Sequence, residues 1–150
     1  MSGEFFDTNV LVYAYDQSAG PKRQIALELV QRSWLHDNGM LSVQVLQELY
    51  VTLLRKTTPR LTPKRARTVV SSFIDWPCFE PRKMDVLRAV YDSGRWGTSL
   101  WDGLLLMAAN QMRADVLWSE DLSHGQRYGS VVVRNPFLVL SADGNGRGGP

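Results

Sequence analysis

The apolar positions of this chain fall into short runs that alternate between two spacings. Glu4-Phe5-Phe6-Asp7, Met40–Val43, Cys78-Phe79-Glu80, Val116–Trp118 and Val131–Val133 are brief apolar stretches bounded by polar or turn residues, the signature of short strands. Between them the spacing changes. A polar break at Thr8-Asn9 precedes an apolar stretch from Val10 to Tyr15. Pro21 suits the first turn of a helix running to about His36, where Asn38-Gly39 stops it. Leu46, Leu49, Tyr50, Leu53 and Leu54 repeat at helical intervals until Thr57-Thr58-Pro59. Thr62-Pro63 reads as an N-cap with Pro at the first helical position, opening a helix to about Trp76 that Pro77 ends. A further helix runs from Lys83 to about Ser93, and Gly94 and Gly97 bracket a turn. Ser99 to Met112 is apolar almost all round, as a buried helix is. Short strands alternating with helices predict an α/β domain, a mainly parallel sheet flanked by helices on both faces. No repeat or linker divides residues 1–140, and the Gly-rich segment 141–150 reads as a disordered tail.

Composition narrows the class. The chain has 150 residues, 44% hydrophobic and 21% charged, enough for one domain with a real core. Five Trp are expected mostly in that core. A net charge of +2 does not announce a nucleic-acid binder, but the distribution is uneven. Arg55, Lys56, Arg60, Lys64, Arg65 and Arg67 crowd into one short segment, either a solvated helix face or a stripe that contacts phosphates. Cys78 is the only cysteine, so no internal disulfide forms and the thiol reads as inert and buried. With no secretory signal and no apolar run of membrane-spanning length, a cytoplasmic protein is expected.

Four acids stand where chemistry would put them. Asp7 ends the first strand, Glu48 lies on the helix of Leu46–Leu54, Asp102 opens the apolar helix, and Asp121 follows the Val116–Trp118 strand. In open α/β sheets ligands bind beyond the carboxyl ends of the strands, where Asp7 and Asp121 fall. Each has a plainer reading: Asp7 as a helix cap, Glu48 as a solvated residue opposite its apolar stripe, Asp102 in a capping box with Ser99, and Asp121 in an Asx turn. Brought together, they would need a compensating cation. An oxygen-only donor set favours Mg²⁺ or Mn²⁺, whereas His36 and His124 lack the spacing of zinc ligands. A carboxylate-held divalent ion points to phosphoryl chemistry. No phosphate-cradling Gly-rich loop ending in Lys-Ser/Thr is present, which argues against nucleoside-triphosphate chemistry.

Several segments carry a family resemblance. Phe6-Asp7-Thr8-Asn9-Val10-Leu11-Val12-Tyr13-Ala14 resembles the opening of PIN-domain toxins of the VapC type. Ser42 to Tyr50, carrying Glu48, resembles their second motif; Ser99 to Leu106, carrying Asp102, the third; and Leu117 to Gly125, carrying Asp121, the fourth. Val133-Arg134-Asn135-Pro136-Phe137 resembles the family's end, so the likeness spans about residues 4 to 138 in order. The resemblance implies a PIN-like three-layer α/β/α fold and an endoribonuclease with one or two Mg²⁺ or Mn²⁺ ions held by Asp7, Glu48, Asp102 and Asp121. Thr8, Asn9 and Ser119 match the supporting polar residues. It further implies a homodimer and a cognate antitoxin that inserts into or beside the site. Gly103 departs from the Ala expected after the third acid, at a helix cost of about 1 kcal/mol.

Other classes fit less well. A phospho-acceptor receiver domain needs an acidic pair after the first strand and a Lys after the last. Asp7-Thr8-Asn9 has no second acid, and Arg134 is the only base near Val131–Val133. An Asp-x-Asp phosphatase fails on the same missing acid. The remaining alternative is a non-catalytic PIN module that binds RNA or a protein partner.

Overall fold

The apolar runs are too short to bury themselves and do so only by lying side by side. The computed structural model describes residues 3–140. Its strands are β1 (Glu4–Phe6), β2 (Gly39–Ser42), β3 (Cys78–Phe79), β4 (Val116–Trp118), β5 (Arg127–Tyr128) and β6 (Val131–Arg134). Its helices are α1 (Thr8–Tyr13), α2 (Pro21–His36), α3 (Val43–Arg55), α4 (Pro63–Ser72), α5 (Lys83–Trp96) and α6 (Leu100–Gln111), with a single 3₁₀ turn at Gln17–Ala19. The six strands form one sheet in the order β3-β2-β1-β4-β6-β5. Every pairing is parallel except β5 with β6. Successive strand residues point to opposite faces. Phe5 and Phe6 are both fully buried, and so are Leu117 and Trp118, so helices cover both sides of the central strands. This is the expected three-layer α/β arrangement.

The helices pack through the stripes that sequence spacing suggests. On α3, Val45, Leu49 and Leu53 are fully buried, and Ser42 caps the helix by accepting the Val45 N–H at 3.3 Å. Thr62 does the same for α4, accepting from Arg65 at 3.2 Å. α1 packs on α2 and α3, α3 on α4, and α5 on α6. The last contact explains Gly103. A Cβ there would stand 2.9 Å from Ser93 Cβ and 3.0 Å from the Ala89 carbonyl on α5. Gly103 therefore admits α5 at close range, and the loosening expected from its low helix propensity is offset by this packing.

Some expectations need correction. The stretch after Asp7 folds as α1 from Thr8, because the Asp7 side chain caps it. α4 ends at Ser72, short of Trp76, with Phe73 and Trp76 turned into the core. α5 continues through Gly94 to Trp96, so only Gly97 makes the turn, at φ 67°. β5 went unread because two residues carry no periodicity. Of the tryptophans only Trp76 and Trp118 are buried; Trp34 and Trp101 are exposed by 42% and 64%. Cys78 is half-buried, its thiol pushed up by burial and by nearby Glu80. The segment 141–150, expected to be disordered, lies outside the described residues.

Candidate active site

The sheet order reverses beside β1: the chain leaves it toward β2 on one side and later returns to β4 on the other. The carboxyl ends of β1 and β4 therefore flank the crevice where α/β proteins bind ligands. Asp7 and Ser119 sit immediately beyond those ends. The Asp7 backbone N–H donates to the Trp118 carbonyl at 3.0 Å, which locks the two strand ends together.

Asp7 is 8% exposed. Its carboxylate accepts the Thr8 backbone N–H at 2.7 Å, capping α1, and the Ser119 hydroxyl at 2.8 Å. The helix-cap reading is thus true of this residue, and the same side chain lines the cavity described below. Burial pushes its carboxyl up to about 6. The Ser119 and Thr8 bonds oppose that rise, while the neighbouring Asp121 and Glu48 carboxylates add to it. Ser119 is a hub, since its oxygen also accepts the Asp121 N–H at 3.2 Å.

The other acids are held from different elements. Thr8 Oγ1 donates to Glu48 Oε2 at 3.0 Å, and Gln44, one turn earlier on α3, donates to Glu48 Oε1 at 3.0 Å. Glu48 therefore faces α1 rather than bulk water. Asn9 Nδ2 donates to Asp121 Oδ2 at 2.9 Å. Asp102 stands in the first turn of α6, whose Ser99 cap accepts the Asp102 N–H at 3.1 Å. Burial raises its carboxyl, a Ser99 hydrogen bond lowers it, and Asp121 and Glu48 raise it further.

All four acids line one cavity of about 430 Å³, together with Thr8, Asn9 and Lys56. Among the described residues no three His, Cys, Asp or Glu side chains are grouped tightly enough to hold a metal ion. Uncompensated carboxylates repel, and here each accepts from neutral donors: the Thr8 amide and Ser119 for Asp7, the Thr8 hydroxyl and Gln44 for Glu48, Asn9 for Asp121 and Ser99 for Asp102. The donor set itself fits a hard divalent cation: carboxylate oxygens only, with the charge of Asp7 already disfavoured by its surroundings.

The six basic residues singled out by sequence are all exposed, and none makes an ion pair among the described residues. Only Lys56, at the end of α3, reaches the acid cavity. Arg60 and Arg65 line a separate cavity of about 230 Å³ beside Tyr15. Arg55, Lys64 and Arg67 line neither.

Sequence reasoning missed several participants. Gln44 was findable as the residue four before Glu48. A cluster beside Asp121 was not: Tyr13 donates to Glu120 at 2.7 Å, and Lys22 pairs with Glu120 while lying 5.0 Å from the Tyr13 ring centre. These residues are 107 and 98 positions from Glu120, too far apart for any local pattern to join them.

No protein-family model and no curated protein sequence matches the chain. Solved structures do. A toxin–antitoxin complex from Klebsiella pneumoniae superposes with a TM-score of 0.62 at 19% identity, covering 89% of this chain and 98% of that one. VapC20 of Mycobacterium tuberculosis, described as a sarcin-ricin loop cleaving toxin, gives 0.60 at 15% identity over 79% of this chain and 90% of its own. DNA-bound VapBC from Salmonella typhimurium gives 0.62 at 17% identity over 91% and 99%. At these identities the likeness speaks for the fold, and the fold of this chain is that of VapC-type PIN-domain toxins.

Proposed function

We propose that the chain is a metal-dependent endoribonuclease acting as the toxin of a toxin–antitoxin pair. The observation that carries this reading is the single cavity lined by Asp7, Glu48, Asp102 and Asp121, which arrive from four separate segments. Their oxygens would hold one or two Mg²⁺ or Mn²⁺ ions. Such an ion, when bound, supplies a water of lowered pKa and neutralises phosphate charge.

The chain's own residues do the positioning. Ser119 and the Thr8 amide fix the Asp7 carboxylate, the Thr8 hydroxyl and Gln44 fix Glu48, and Asn9 fixes Asp121. These donors would orient the acids toward a cation, and taking one up would draw the carboxylates closer together than they stand here. Lys56 brings a positive charge to the same cavity, suited to a phosphate on either side of the cleaved bond. Arg55, Arg60, Lys64, Arg65 and Arg67 extend that charge along the α3–α4 surface, as contacts that position an RNA backbone without reading bases.

The solved neighbours that carry antitoxins support a small protein partner for this chain, and an Arg or Lys from it would suit the acidic cavity. The exposed apolar face of α5, including Leu87, Val90 and Tyr91, suits a homodimer contact. No helix among the described residues is long and apolar enough to cross a membrane.

The test is cleavage of RNA by the purified protein with Mg²⁺ or Mn²⁺ and in excess chelator. Cleavage is expected with metal and not without it. RNA binding with no metal-dependent cleavage would instead favour the non-catalytic module.

A further inference from the structure

The acid cavity does not end at the acids. A second, largely apolar groove of about 450 Å³ adjoins it and shares Gln44, Gln47 and Trp101 with it. Trp101 immediately precedes Asp102 and is 64% exposed, although the indole is the largest apolar side chain on α6. Gln44 Nε2 donates to the Trp101 carbonyl at 3.3 Å while also donating to Glu48, so the ring's backbone is tied to the acid site. Beyond the ring the groove is floored by Phe79, Pro81, Leu104 and Met107.

The distribution of charge says what fits there. Along α3, Gln44 and Gln47 line both cavities, whereas Val51, Thr52 and Lys56 line only the acid one. Lys56 lies twelve residues beyond Gln44, about 18 Å along the helix. The end of the crevice that holds Lys56 thus offers a cation to a phosphate. The opposite end has no basic side chain in its lining and one carboxylate, Glu80, and so disfavours phosphate. It offers an exposed indole face, apolar walls, and the amides of Gln44 and Gln47 at its edge. A flat heteroaromatic ring with hydrogen-bonding edges satisfies all three features.

We propose that this groove takes an unpaired nucleobase of the substrate, flanking the cleaved phosphodiester and stacked on Trp101. The proposal rests on the nuclease reading above and adds to it a residue-level subsite: Trp101 as the platform for a base beside the cut. Every base has a stacking face, so the platform tolerates sequence while excluding a continuous duplex.

The test uses the full chain, with Trp101→Ala and Trp101→Phe. On a cleavable single-stranded RNA, Trp101→Ala is expected to raise KM about 5- to 100-fold with kcat within about threefold, the pattern of lost uniform binding. Trp101→Phe should recover most of the loss. In the wild type, removing one base beside the cleavage site should reproduce the penalty, and in Trp101→Ala the same removal should add nothing. An unchanged KM, or an equal abasic penalty in both proteins, overturns the proposal. So does a Trp101→Ala variant whose defect is confined to self-association or to binding a protein partner.

A second measurement separates this idea from the nuclease reading. In chelator, a short single-stranded RNA should quench tryptophan fluorescence in the wild type, and in Trp101→Phe that quenching should fall away. Quenching assigned in this way, without cleavage under any metal, would sustain the groove and remove the nuclease. Cleavage without Trp101-dependent quenching would do the reverse.

Discussion

The two walls of the acid cavity are built on different principles. The wall at the strand ends holds Asp7, 8% exposed, with both carboxylate oxygens already occupied by the Thr8 amide and the Ser119 hydroxyl. The wall at the start of α6 holds Asp102, half-buried, with an exposed tryptophan beside it. The first wall is preorganised and carries the larger electrostatic strain, shown by a carboxyl pushed up to about 6. The second is open and adaptable. Under the proposed function, the preorganised wall would hold the cation and the open one would admit the RNA strand.

The sharpest way to test that contrast is to remove acids and their supports separately. Asp7→Asn is expected to lower RNA cleavage by a thousandfold or more, since losing a metal-holding charge costs about 4 kcal/mol of transition-state stabilisation. Asn still accepts the Thr8 N–H, so the α1 cap survives and far-UV circular dichroism should be unchanged. Ser119→Ala, which removes only the orientation of Asp7, should cost about 10- to 100-fold. Equal losses in the two variants would contradict the division between acid and support.

The next effect is on stability, and its sign follows from Asp7. Its carboxyl lies above its ordinary value of 3.8 in the fold, at about 6. Below the ordinary value both folded and unfolded chains hold the proton, and this group's stabilising contribution is fully present. As pH rises from about 4 through about 6 the unfolded chain gives up the proton first, and that contribution is lost, about 3 kcal/mol in all. Chelated wild-type protein should therefore lose stability relative to Asp7→Asn over this window and be the less stable of the two at pH 7. Urea unfolding of both proteins at pH 4.5 and pH 7 measures the difference; parallel pH dependences would count against a strained Asp7.

The smallest expected effect probes the open wall through its foundation. Gly103→Ala gains about 1 kcal/mol of helix propensity but drives a Cβ to 2.9 Å from Ser93 and 3.0 Å from a backbone carbonyl of α5. Overpacking of this kind costs about 1–3 kcal/mol. The net expectation is a loss of up to about 2 kcal/mol, read as a lowered melting temperature. A rise instead would mean that α5 and α6 separate freely and that Asp102 stands on a loose base.

The sequence by itself determined a good deal. The helical stripe of α3, the Thr62-Pro63 start of α4 and the alternation of short strands with helices made the α/β class legible, because these are local periodicities and caps. The four acids were legible as individuals and, through the motif resemblance, as a set. Tertiary structure alone decided the rest. It turned Asp7 into both a helix cap and a buried acid, because its two oxygens find partners on different elements. It exposed Trp101, which lies on an apolar helix that the pattern alone would bury whole. It joined Tyr13 and Lys22 to Glu120 across about a hundred residues of chain, and gave Gly103 a neighbour on α5. Local pattern specifies what a segment prefers, while burial, charge proximity and close approach belong to pairs of segments. Those pairs exist only once the strands have chosen their order in the sheet.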